Sequence, residues 1–408
     1  MTDTVATDTA AAATLGPPVV HDDPFSVDIL RDPYPFFSAL REAGPVVWLQ
    51  SHGIYATGRH AEVATVLSQW GAFTNEGGAG LADIRRPGNW RPASVILEVD
   101  PPAHTDVRAA LQKILSPLVV RQWREKFTQA AEAMADALVA GREFDGMRDA
   151  AEAFVLQVFP PAVGIRIPRE NAQAIGDMNF NAIGPNNALT QAAVARAQPY
   201  MQWYEDSLKR EAMLSGGFGE LIYQAEDAGA LQQGFAANLT RSFLRGGMDT
   251  TISGIGSALL ALARDPAQWD LLRADPSLAR NAFEEAIRLD APVQVMFRTT
   301  RAGAQLGGIA LAPDTKIAAF IGAANRDTRQ WPDADRFDLR RQAAGQHLAF
   351  GHGAHVCIGQ MIARLEAECL LGALARRARR LVLASSPEYR AVNTLRTLDR
   401  LPLAVEPA

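Results

Sequence analysis

From about residue 101 to residue 290, apolar residues recur at three- and four-residue spacing with little interruption. That period puts them on one face of successive α-helices. The stretches 103–115, 117–140, 232–264 and 278–290 carry it most clearly. Strands are expected only at the edges of this helical block. Residues 45–58, PVVWLQSHGIYATG, read as a strand pair turning at Gly53, and β-branched runs around Gly307, Gly308 and Pro313 predict short strands over about 295–320. Residues 325–341 show no period and read as a polar coil, and helix resumes from about 358 to 380. The expected fold is mainly α with a small β portion, a single domain over residues 17–408. Residues 1–16 are small, polar and acidic, and are expected to be disordered.

The bulk composition narrows the function. The chain has 408 residues, 48% hydrophobic and 21% charged, with a net charge of -5. An acidic chain lacks the basic surface that phosphate contacts need, so nucleic acid is not an expected partner. No apolar run approaches the ~18 residues of a membrane span, and the first thirty residues hold no Lys or Arg, unlike a targeting signal. The two cysteines, Cys357 and Cys369, make no disulfide framework. A cytoplasmic, reduced protein is expected, with Cys369 in the core.

Three constellations carry chemistry. The first is FGHGAHVCIG, residues 350–359. A thiolate is the metal-binding form of cysteine and needs nearby donors or positive charge to stay ionised. A helix starting just after Cys357 would supply orphan N–H groups and its positive dipole end. Gly351, Gly353 and Gly359 would let the backbone turn and admit a flat group. A buried free cysteine, or a zinc site built from His347, His352, His355 and Cys357, are the rival readings. The second is LRGGMDTT, residues 244–251, inside the 232–264 helix. Adjacent glycines cost about 1 kcal/mol each in a helix interior, and hydroxyls compete for its carbonyls. A local distortion there is expected, opening a groove. The third is EEAIR, where Glu285 and Arg288 lie three residues apart on one helix face.

The pattern F-G-x-G-x-H-x-C-x-G resembles the cysteine loop of the cytochromes P450, the haem-thiolate monooxygenases, and the other motifs follow in that family's order. The resemblance implies haem b beneath a long central helix, with the cysteine loop on the proximal side. It makes Cys357 the axial iron ligand, packs Phe350 beside the sulfur, keeps Gly359 in the loop, and turns His355 toward a haem propionate. His104, Arg108 and Arg298 are the other expected propionate donors. Asp249 and Thr250 become the acid-alcohol pair that delivers protons and holds oxygen, with Gly246 and Gly247 leaving space above the iron. Glu285 and Arg288, locked to the coil by Arg336, become structural. The expected reaction takes O2 and two electrons from NAD(P)H. No flavin or iron–sulfur motif is present, so ferredoxin and ferredoxin reductase are the expected partners, docking on a face that includes Arg108, Lys113 and Arg364.

Residues 90–105, 240–251 and 279–288 are similar to bacterial family members that oxidise para-substituted benzoates. The similarity assigns Arg91, Ser94, Arg241 and Ser242 to the substrate carboxylate, and Leu97, Phe180, Ile183, Gly246, Val293 and Met296 to the pocket. Guanidinium and hydroxyl donors suit a carboxylate entering an apolar site. A carboxylate held at one end of the ring points the para substituent at the iron. A para-methoxy group would leave as formaldehyde. Ile183 and Met296 replace aromatic residues, and Arg245 replaces serine. Arg245 would either strengthen anion binding or pair with Asp249 and alter proton delivery. Cinnamate-type acids, terpenoids and fatty acids are the alternative substrates.

Overall fold

The computed structural model describes residues 16–408, apart from Gly88 and Trp90. The tail expected to be disordered therefore lies, Gly16 excepted, outside the described residues. The helical block forms as the spacing predicts. Ala103–Ile114, Pro117–Gly141 and Ala279–Leu289 match three of the four predicted helices closely. In the long Pro117–Gly141 helix, Val120, Trp123, Phe127, Ala131, Ala135 and Leu138 are buried on one stripe, which packs against the Gln360–Arg377 helix. Cys369, on that second helix, is buried beside the Thr128 hydroxyl at 3.6 Å.

The fourth predicted helix is two. Phe235–Gly247 ends, Met248 takes φ −92°, ψ −69°, and Asp249–Arg264 begins. The freed carbonyls are taken by side chains. Thr250 Oγ1 donates to Gly246 O at 2.7 Å and Thr251 Oγ1 to Gly247 O at 3.0 Å. This is the distortion that two glycines followed by hydroxyl residues predict, carried through to a break.

The β portion is a six-stranded sheet with three smaller sheets among the described residues. In the large sheet Val47–Leu49 and Ile54–Thr57 pair antiparallel around Gly53, whose φ of 61° favours glycine. The Met296–Thr300 strand joins the same sheet. Alternation along it buries Phe297 in the apolar core behind the sheet, while Met296 and Arg298 line a cavity.

A buried ionic network ties the aperiodic coil to the helices. Glu285 and Arg288 side chains are both 0% exposed and pair twice, at 2.7 and 2.9 Å. Arg288 also donates to the carbonyls of Asn325 and Ala334, each at 2.8 Å, and of Arg336 at 3.1 Å. The expected role of Arg336 needs correction. Its side chain is exposed and only its carbonyl takes part. The guanidinium that reaches Glu285 belongs to Arg341, at 2.8 Å. In a segment without periodicity, nothing in the sequence ranks one arginine above another five residues away.

Removing one partner of a buried pair strands the other, costing about 3–5 kcal/mol. Arg288→Ala is expected to lose that much in chemical denaturation. Arg341→Ala should lose about 1–3 kcal/mol, and Arg336→Ala should stay within about 0.5 kcal/mol of the native chain.

Candidate active site

A mostly apolar cavity of about 320 Å³ lies among these elements. The cysteine loop contributes Phe350, Gly351, His355, Cys357 and Gly359, and the broken helix pair contributes Gly246, Gly247, Thr250 and Thr251. Met296 and Arg298 come from the sheet, and His104 and Arg108 from the Ala103–Ile114 helix. Leu97, Phe180, Ile183 and Val293 supply further apolar wall.

The loop is shaped by its own backbone. Cys357 N donates to Phe350 O at 2.8 Å, and Gly351 N to Leu348 O at 2.8 Å. Gly351 and Gly353 have φ of 76° and 74°. A Cβ at Gly353 would also fall 2.6 Å from Ser68 Cα, so position 353 has both a conformational and a steric reason for glycine. The next helix begins after Gly359. Burial pushes the Cys357 thiol up, while the N–H groups of Gly359 and Gln360 and the charges of Arg108 and Arg364 favour the thiolate. Phe350 lies under the Arg364 guanidinium, 4.5 Å from its ring centre. Arg364 in turn pairs with Glu284, which also holds His347 Nε2 at 2.9 Å.

Of the two glycines, only Gly246 leaves open space. A Cβ there would meet nothing within 4 Å, whereas one at Gly247 would collide with the Phe159 ring. Asp249 does not line the cavity. Its carboxylate turns toward the Arg169–Ile183 helix, where a Cβ at Gly176 would collide with it. Oδ2 is buried without a partner. Burial raises this carboxyl to about 7, and Asp177 and Glu152 add to the effect against the opposing Arg390. Arg245 forms no ion pair with Asp249: the break at Met248 separates them.

Four basic groups gather near the thiol. Arg298 is 3% exposed, donates to Phe297 O and leaves Nε buried without a partner. Burial lowers it to about 10. His104 Nε2 is also unpartnered, and burial, His355 and Arg108 push the ring down to about 4. The two imidazoles lie 4.2 Å apart, and His355 Nε2 meets Asp100 at 3.1 Å. Burial disfavours the Asp100 carboxylate, yet hydrogen bonds from His355, Thr74 and Arg301 hold it at about 2. Arg108 has no hydrogen bond or ion pair among the described residues.

Ser94 Oγ and Ser242 Oγ lie 2.9 Å apart, and both residues line the cavity; Ser242 Oγ also donates to Asn238 O at 3.0 Å. Arg91 and Arg241, expected beside them, do not line it. Arg91 is held by Glu98 at 2.8 Å, with side chains 9% and 1% exposed, and Arg241 is held by Glu205. Glu205 lies outside the stretches that suggested the arginines, whereas Glu98 lies within residues 90–105, seven positions after Arg91. The expected docking face changes likewise. Lys113 is exposed, but Arg108 faces the cavity and Arg364 is bound to Glu284. Among the described residues no three His, Cys, Asp or Glu side chains could hold a metal ion, which removes the zinc reading.

Among the lining residues that the motifs do not mark, two are polar, Asn179 and Glu366. Asn179 sits four positions before Ile183 in one helix, a spacing that could have placed it on the cavity face. Glu366 is buried with both oxygens unpartnered, and burial holds its carboxyl well above the ordinary range. A lone acid in a helix gives no sequence signal of this.

Comparison with known proteins agrees with this architecture. Residues 218–383 match the model of the cytochrome P450 family. The chain is 45% identical to cytochrome P450 CYP199A2 of Rhodopseudomonas palustris, covering 96% of each chain. It is 31% identical to the vitamin D(3) 25-hydroxylase of Pseudonocardia autotrophica, covering 94% and 96%. The structure of CYP109Q5 from Chondromyces apiculatus superposes with a TM-score of 0.78 at 27% identity, covering 96% of this chain and 99% of that one. The chain belongs to the cytochrome P450 family and is a monooxygenase. No helix among the described residues is long and apolar enough to cross a membrane. The family's haem suits the residues present. Its apolar ring matches the cavity wall, and its carboxylates would satisfy the orphaned donors of Arg298 and His104, which are costly to bury alone.

The Asp249 carboxyl makes stability depend on pH. Its folded value of about 7 exceeds the ordinary 3.8, so its contribution is complete below 3.8 and is lost as pH rises to 7. Asp249→Asn removes this titration. The variant should gain about 1–4 kcal/mol on the native protein between pH 4 and pH 7, read from denaturant midpoints, with no further gain above pH 8.

Proposed function

We propose that the protein oxidises para-substituted aromatic carboxylic acids, removing the methyl group of 4-methoxybenzoate-type substrates to leave a 4-hydroxybenzoate and formaldehyde. The reading rests on an apolar cavity lined both by the cysteine loop and by the hydroxyl pair of Ser94 and Ser242. An aromatic ring fits the wall, and the hydroxyl groups suit a carboxylate.

Cys357 would ligate the iron, and His104, Arg108, Arg298 and His355 would hold the propionates. Bound haem supplies the activation of O2 and the transfer of one oxygen atom into a substrate C–H bond, the other atom leaving as water. The chain's own residues orient and deliver protons. Leu97, Phe180, Ile183, Val293 and Met296 confine the ring, which favours one reacting position. Thr250 keeps its hydroxyl on Gly246 O, at the edge of the open space beside Gly246. Asp249, with a value of about 7, can take a proton from outside the cavity and pass it inward near neutral pH. Insertion of oxygen at the methoxy carbon gives a hemiacetal that collapses to phenol and formaldehyde. The two electrons would come from NAD(P)H through a ferredoxin and its reductase.

The reduced, carbon-monoxide-treated protein should show the long-wavelength band of sulfur-ligated haem, and Cys357→Ala should lose it. 4-Methoxybenzoate should shift the ferric spectrum toward high spin and yield one formaldehyde per 4-hydroxybenzoate. Anisole and 4-methoxybenzamide should act far more weakly. Equal responses to the acid and the neutral ligands, or efficient oxidation of a terpenoid instead, would replace the substrate class.

A further inference from the structure

The basic groups on the cavity fall into two sets with different neighbours. Arg298, Arg108, His104 and His355 act on one another and on Asp100 or Cys357. Arg245 belongs elsewhere: the charged and phenolic groups around it are Arg91, Tyr204, Glu98 and Arg241. If the first set serves the propionates, the second remains to be explained.

Within that second set the charges do not cancel. Arg91 is paired with Glu98 and Arg241 with Glu205, leaving Arg245 without an acid. Its half-buried side chain lines the cavity and forms no hydrogen bond or ion pair among the described residues. Asp249 does not neutralise it, because that carboxylate faces Gly176. Further polar groups stand beside it. Asn179 lines the cavity with Nδ2 buried, next to the buried Tyr204 hydroxyl. Ser242, three residues before Arg245, lines the same cavity, as that helical spacing allows, its hydroxyl bonded to Asn238 O at 3.0 Å and to Ser94 Oγ at 2.9 Å.

We propose that Arg245 receives the carboxylate of the substrate, flanked by Ser242 and Asn179, and that Arg91 and Arg241 are positioning residues held by their own glutamates. The inference rests on the acid-oxidising reading above and names the residue that enforces it. A guanidinium offers a carboxylate two parallel hydrogen bonds, and one uncompensated positive charge matches one monoanion. Anionic acids are thereby selected over their amides and esters, because a neutral ligand leaves the charge uncancelled in a mostly apolar cavity.

Spectral titration of the haem-loaded protein separates the possibilities. Native protein, Arg245→Gln, Arg245→Lys, Arg91→Gln and Arg241→Gln would each be titrated with 4-methoxybenzoate, 4-methoxybenzamide, hexanoate and octanoate. Arg245→Gln should weaken 4-methoxybenzoate about 10- to 100-fold, the loss of a charge-assisted pair, while the amide changes less than about threefold. Arg245→Lys should recover part of the affinity. An unaltered carbon-monoxide band shows that each variant is folded. A change within about twofold for Arg245→Gln, or a larger loss in Arg91→Gln or Arg241→Gln, overturns the assignment. Should the native protein bind hexanoate or octanoate through Arg245 but no aromatic acid, the aromatic substrate falls and Arg245 stands. Binding of no carboxylate removes both.

Discussion

Two consecutive glutamates on one helix hold the haem-side half of the molecule together. Glu285 faces Arg288 and Arg341, and through them the carbonyls of the coil at Asn325, Pro332, Asp333, Ala334 and Arg336. Glu284 faces His347 and Arg364, on either side of the cysteine loop. The hydrogen bonds of His347 and Arg364, outweighing burial, hold Glu284 at about 2. One helical turn thus fixes the coil that leads into the loop and the helix that leads out of it. The segment has no apolar period with which to pack, so buried ionic hydrogen bonds do the work that a hydrophobic face does elsewhere. Such pairs give little net stability over an apolar substitute, but they are demanding in geometry.

With the loop anchored, the remainder of the site is defined by groups that the protein leaves unsatisfied. Arg298 Nε, His104 Nε2, Asn179 Nδ2 and both Glu366 oxygens are buried without partners. Each would be a defect in a purely structural interior. Here they border one cavity, where a ligand that supplies the missing hydrogen-bond partners would offset that cost. The chain gives up stability in exchange for a site organised before binding. Asp249 is a different case, since its unpartnered oxygen faces another helix and links the break at Met248 to the charged surface around Asp177, where Arg390 and Arg196 pair at 3.0 and 3.1 Å.

Much of this was legible in advance, for local reasons. Helix existence followed from period, as in the stripe from Val120 to Leu138. The cysteine loop was readable because glycine positions and a helix start are local constraints. The distortion at Gly246–Gly247 followed from helix propensity, although a complete break did not. Where expectation and structure differ, one cause recurs. A guanidinium's partner is decided by proximity in space, so Arg341 rather than Arg336 reaches Glu285, and Arg91 and Arg241 meet glutamates instead of lining the cavity. Glu98 and Glu205 bear no spacing relation that marks them as the acids that claim those arginines.

The amino-acid sequence by itself determined the helical class, the loop that presents Cys357 and the weak point in the helix before Asp249. These depend on backbone conformation and on periodicity, both of which act over a few residues. Tertiary structure alone decided which charges cancel. It tied Arg91, Arg241 and Arg364 to carboxylates, turned Asp249 away from the cavity and left Arg245 facing it without a partner. Electrostatic pairing depends on distance and on exclusion of water, and neither is set until the chain has packed.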